Sequence, residues 1–109
     1  MTVSRYFHDW SAPPTGAASS GVLFLETRTA GSVVARVHLA PGAELKAHSH
    51  PEEQIFYVLD GCLRYRVGDE ERLAERGTLI VMPANVPHWG RAEGATEAVF
   101  LEIKQRASA

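Results

Sequence analysis

From Gly21 onward the chain alternates short apolar, β-branched runs with turn residues, and each run predicts a strand. Val22–Arg28 passes through Ala30-Gly31-Ser32 into Val33–Leu39, and Pro41-Gly42 closes that second run. Glu44–His50 leads through Pro51 into Gln54–Leu59. Asp60-Gly61 has the composition of a two-residue hairpin turn before Cys62–Val67. After the turn Gly68-Asp69-Glu70, the runs Arg72–Glu75 and Thr78–Met82 flank Gly77, and Val99–Lys104 follows near the end. No segment sustains a helical repeat. About eight short strands with regular turns predict an all-β sandwich or barrel. Residues 1–20 break the pattern with Ala12-Pro13-Pro14-Thr15-Gly16 and Ser19-Ser20. They carry Tyr6, Phe7 and Trp10, so we expect an arm (1–20) that lays its aromatics on the surface of a single barrel domain (21–109).

Strand parity divides Gln54–Leu59 into Gln54, Phe56 and Val58 on one face and Ile55, Tyr57 and Leu59 on the other. Both rows are largely apolar, whereas a strand in a small two-sheet protein has one wet face. The second row calls for a cover, from the arm or from a second subunit, and a homodimer is expected.

With 109 residues the chain holds one modest core. The formal net charge of −2 offers no basic footprint for nucleic acid. No apolar run approaches the length of a membrane span. Cys62 is the single cysteine, which excludes an intrachain disulfide, and the N-terminal residues lack a secretory layout. A reducing cytoplasm is the expectation.

The candidate chemistry lies in the histidines. His48-Ser49-His50 places two imidazoles on one face of an extended segment, a pattern shared by metal sites and by exposed surface strands. Gln54 opens the next strand with a neutral oxygen donor, and His88 follows the rigid turn Pro83-Ala84-Asn85-Val86-Pro87. Three imidazoles and one oxygen suit one first-row divalent ion (zinc, nickel, manganese or iron) with positions left for water or substrate.

These residues resemble the two motifs of the cupins. Gly42-x5-His48-x-His50-x3-Gln54-x6-Gly61 is similar to the first motif, and Gly77-x5-Pro83-x-Asn85-x2-His88 to the second. The resemblance implies a double-stranded β-helix, a jelly-roll barrel, with the metal held inside by His48, His50, Gln54 and His88. Three departures stand out. Gln54 occupies the usual glutamate position, Asn85 a usual glycine position, and the terminal asparagine of the second motif has no counterpart in Trp89-Gly90-Arg91-Ala92. Glu52 and Glu53 also lie within reach, but register with Gly61 selects Gln54. Some compact cupins with sequences similar to His-Ser-His-Pro-x-Glu-Gln-Ile use this glutamine as a ligand.

An amide in place of a carboxylate leaves the ion its full formal charge, which favours an anionic or chelating small molecule and an acidified metal-bound water. It tilts the expected chemistry toward Lewis-acid steps: ring opening, isomerisation, lyase or cyclase reactions. The subgroup resemblance is to pectin-degradation cupins that open unsaturated uronates. A dioxygenase and a non-catalytic binding or sensing barrel are the alternatives. By strand parity Phe56 and Val58 line the barrel, and Tyr65 either presents its hydroxyl to substrate or packs as a core aromatic. Arg36 and His38 either face solvent or bind an anion in the pocket. Trp89 forms a pocket wall or caps the outside, and Glu102 is a general acid or base or a solvated charge.

Overall fold

The computed structural model describes residues 4–106, so the outermost three residues at each end of the expected arm and barrel lie outside it. The ten strands are β1 (Gly16–Ser19), β2 (Val22–Arg28), β3 (Ser32–Leu39), β4 (Glu44–His48), β5 (Gln54–Asp60), β6 (Cys62–Val67), β7 (Glu70–Glu75), β8 (Leu79–Met82), β9 (His88–Ala92) and β10 (Ala98–Gln105). They form two antiparallel sheets, one ordered β1-β2-β3-β10-β5-β8 and the other β4-β9-β6-β7. From β3 onward the chain crosses between the sheets at nearly every connection, the winding of a jelly roll. The fold is all-β, and no helix among the described residues is long and apolar enough to cross a membrane.

The core is the space between the sheets. Phe56, Val58 and Phe100 enter it from the larger sheet, and Leu63 and Tyr65 from the smaller. The rings of Phe56 and Phe100 approach to 4.3 Å between centroids, and Phe56 meets Tyr65 edge-on at 5.3 Å. Burying a side chain of this size stabilises the fold by about 1.5–3 kcal/mol.

Asp60-Gly61 does not make the expected hairpin. It carries the chain from β5 in one sheet to β6 in the other, and these strands do not pair. Gly61 has φ +73°, and a Cβ there would run into the Glu97 carbonyl, so the glycine serves a close crossing of two segments. Two strands escaped the sequence pattern. β1 is short and made of small residues. β9, His88–Ala92, contains Gly90 and follows Pro87, a composition that reads as a loop.

The arm packs through one aromatic of its three. Trp10 donates its indole N–H to Thr27 Oγ1 at 2.8 Å, and the Arg36 guanidinium donates to the carbonyls of Trp10 and Ala12. Tyr6 and Phe7 remain 73% and 84% exposed. The arm is therefore fastened over β2 and β3 and leaves the outer face of β5, β8 and β10 bare, where Tyr57, Leu79, Val81 and Ile103 are exposed.

Register also decides three of the open assignments. Val37 and Leu39 point inward, so Arg36 and His38 lie outside the barrel, and the pocket role considered for them is corrected. Arg36 Nε donates to His38 Nε2 at 2.9 Å, and His38 Nδ1 lies 3.3 Å from Glu97 Oε1. Trp89 alternates with the buried His88 and Gly90 and faces outward, with the Arg91 guanidinium 5.6 Å from its ring centroid. It is no pocket wall.

Candidate metal centre

His48, His50 and His88 come together at one end of the barrel, their potential ligand atoms all within 4.8 Å of one another. Two elements do this. β4 pairs with β9 so that His48 lies opposite His88, and an irregularity between Leu45 and His48 breaks strand parity. Without that shift His48 would face away from the side that Leu45 packs. His50 lies beyond the end of β4, so its direction comes from the loop and not from the strand alternation expected for it. The Asn85 backbone N–H donates to the His50 carbonyl at 2.7 Å and binds the two histidine-bearing loops together. Asn85 adopts φ +65°, which asparagine tolerates better than most residues, and this accounts for its standing at a usual glycine position.

Each imidazole is held by its far nitrogen. The Nδ1–H of His48 donates to the Lys46 carbonyl at 2.8 Å, that of His50 to Glu52 at 2.8 Å and that of His88 to Val86 at 3.1 Å. In the neutral ring these contacts fix the Nδ1–H tautomer, which puts the lone pair on Nε2. The lone pairs converge: His48 Nε2 and His88 Nε2 are 3.2 Å apart. Neither has a proton to share, so the contact is repulsive unless a cation lies between them. Zinc–nitrogen bonds of about 2.0–2.1 Å in a tetrahedron would put two such nitrogens about 3.3 Å apart.

Gln54 stands beside the three imidazoles. It is 5% exposed, and its Oε1 lies 3.0 Å from His50 Nε2. Its amide N–H₂ donates to Glu102 Oε1, which turns the carbonyl oxygen toward the histidines. Glu53 is exposed, and Glu52 offers its backbone carbonyl to His50. Glu102 faces into the barrel beside Gln54. Burial pushes its carboxyl above the usual range, partly opposed by the Lys104 charge and the Gln54 hydrogen bond.

Tyr65 is a buried core aromatic whose hydroxyl donates to Met82 Sδ at 3.0 Å. Burial, followed by the Glu102 charge, pushes its phenol well above the ordinary range, so it stays neutral. Its ring lies 6.5 Å from that of His88 and nearly parallel to it. Phe56 and Val58 pack the barrel beneath the donors. Sequence reasoning did not single out Gly90, although a Cβ there would strike the Tyr65 ring. A glycine directly across a strand pair from a large aromatic was the available signal.

A profile described as "Cupin domain" matches residues 35–104. The chain belongs to the cupin family. Among curated proteins this cupin is similar to the H2HPP isomerase of Bacillus subtilis, with 33% identity over 69 residues, 62% of the chain. The match spans only 29% of that relative's length. An RmlC-like cupin from Shewanella frigidimarina shares the fold with a TM-score of 0.85 at 18% identity, covering 95% of this chain and 93% of that one. KdgF from a Halomonas species shares it with a TM-score of 0.79 at 20% identity, covering 96% and 92%. The three-histidine cluster and the family together point to a metal site.

Burial comes first among the causes that hold the His88 imidazole below its ordinary value of 6.5, with the nearby His48, His50 and Lys104 charges adding to it and the Val86 carbonyl opposing it. On acidification the unfolded chain takes up that proton before the folded one. The His88 contribution to the stability of metal-free protein is therefore complete above about pH 6.5 and is lost as pH falls from there toward the folded value. Denaturant midpoints measured on metal-free protein between about pH 8 and pH 5 should fall across that window, and a His88→Gln variant should show the smaller slope. Equal slopes for the two proteins would contradict this burial argument.

Proposed function

We propose that this cupin is a mononuclear metal-dependent enzyme of the isomerase or lyase type, acting as a Lewis acid on a small carboxylated or chelating substrate. The observation that carries the reading is the neutral donor set: three Nε2 lone pairs and the Gln54 carbonyl oxygen converge, and the carboxylate of Glu102 stands beside them. A divalent ion bound there would polarise a substrate carbonyl or hydroxyl and acidify a bound water. The protein's own groups do the rest. The backbone carbonyls of Lys46, Glu52 and Val86 orient the imidazoles, Gln54 adds no negative charge, and Glu102 is the group placed to hold or pass a proton. Tyr65 positions the site through its packing on His88.

The isomerase name of the Bacillus subtilis relative supports non-redox chemistry over the dioxygenase alternative. The resemblance of the first motif, with its glutamine, to cupins that open unsaturated uronates makes an unsaturated uronate the first substrate to try. Protein reconstituted with zinc, nickel, manganese or iron should turn over at least one member of a panel of unsaturated uronates and 2-oxo or 2-hydroxy acids. His48→Ala and His88→Ala should lower the rate by about 100-fold or more. Full metal loading with no turnover across the panel would remove the enzyme reading in favour of a binding or sensing barrel.

We further propose that a second copy of the chain covers the outer face of β5, β8 and β10. Its support is the exposure of Tyr57, Leu79, Val81 and Ile103 on one sheet face that the arm leaves bare. Light scattering coupled to size exclusion at micromolar concentration should give the mass of a dimer, and Val81→Glu should shift it toward monomer. A monomer for the unaltered protein would remove the claim.

A further inference from the structure

Next to the donors lies a pocket of roughly 280 Å³ framed by Glu26, Arg28, Glu52, Glu102, Lys104 and Arg106. It adjoins the candidate metal centre through two of these residues. Glu102 accepts from the Gln54 amide, and the Glu52 carbonyl takes the His50 Nδ1–H.

All but one of the six charged groups have a partner in the fold. Arg28 Nε lies 3.0 Å from Glu26 Oε1, and Arg106 donates to the Thr29 carbonyl at 2.8 Å. Glu52 Oε1 is 3.9 Å from His50 Nδ1, and Glu102 is bound to Gln54. Lys104 differs. It is half-buried and shares the inward face of β10 with Phe100 and Glu102, yet among the described residues no ion pair or hydrogen bond engages its ammonium. In register it lies directly across from Gln54. Side chains so paired are neighbours, about 5 Å apart at Cβ.

We propose that Lys104 is the carboxylate anchor of this site, holding the acid group of a short-chain 2-oxo or 2-hydroxy acid whose carbonyl or hydroxyl oxygen faces the histidines. The inference rests on the metal-centre reading and adds to it the group that selects the acid. A half-buried ammonium with its three donors unengaged is matched by a carboxylate, and the bond between them is charge-assisted. Glu26, Glu52 and Glu102 would repel an unaccompanied anion, and Lys104 is the half-buried cation of the pocket that offsets them at the level of the donors. Lys104 and Gln54 lie opposite each other on adjacent strands, with Glu102 next along the same face of β10 and hydrogen-bonded to Gln54, so all three groups can meet one small substrate.

The test is titration of zinc-loaded protein with 2-oxobutyrate and with its methyl ester, metal content being measured on every sample. Lys104→Met should keep its zinc and bind 2-oxobutyrate about tenfold or more weakly, while Lys104→Arg stays within about threefold of the unaltered protein. The ester should bind the unaltered protein and Lys104→Met equally. Zinc-loaded Lys104→Met that binds 2-oxobutyrate as tightly as the unaltered protein would overturn the anchor and leave the metal centre standing. Absence of 2-oxobutyrate binding to zinc-loaded unaltered protein would overturn it as well. If no protein takes up zinc, the metal-centre reading falls. The anchor is then decided by amide chemical-shift changes on adding 2-oxobutyrate to metal-free protein, which it requires at residues around Lys104 and requires Lys104→Met to abolish.

Discussion

Three imidazole lone pairs and an amide oxygen crowd one end of this barrel, and without a positive charge between them they repel. The fold spends considerable local structure on bringing them there. The irregularity in β4 turns His48 inward, and Asn85 ties the loop after β8 to the loop before β5. Three separate backbone carbonyls hold the Nδ1 protons so that each Nε2 must face the others. Such an arrangement makes physical sense when a cation completes it, and Tyr65 packs on Gly90 with its ring nearly parallel to that of His88.

The electrostatic character of the site follows from Gln54. A carboxylate at that position would offset one unit of the ion's charge, whereas an amide offsets none, and in a partly desolvated cavity the difference is large. The negative charge has instead been moved one step outward, to Glu102, where it orients the glutamine amide and lies beside a polar pocket. Lys104, directly across from Gln54, shares the inward face of β10 with Glu102, so an amide, a carboxyl and an ammonium stand together there.

Much of this was legible from residues alone, and the exceptions have physical causes. The alternation of β5 and β6 announced which side chains enter the core, and Gln54, Phe56, Val58, Leu63 and Tyr65 do so. The histidines were found through the His48-Ser49-His50 pair and the rigid turn before His88, and register with the cupin motif singled out Gln54 over Glu52 and Glu53. Parity could not find the β4 irregularity, since a bulge is a property of the pairing and not of one strand. Asp60-Gly61 misled for a related reason: a tight turn with a positive φ serves a hairpin and a sheet-to-sheet crossing equally well, and only the partner strands distinguish them. Arg36 and His38 were ambiguous in sequence because a polar pair on alternate positions fits a wet outer face or a polar pocket, and the inward Val37 and Leu39 decide it.

The central claim is that the converging donors bind a cation, and X-ray absorption at the metal edge of zinc-reconstituted protein tests it most directly. The account predicts one zinc per chain, nearest nitrogen and oxygen neighbours at about 2.0–2.1 Å, and the more distant scattering of three imidazoles, reduced to two in His88→Ala. Failure to load zinc, or a loaded spectrum lacking imidazole scattering, would contradict it.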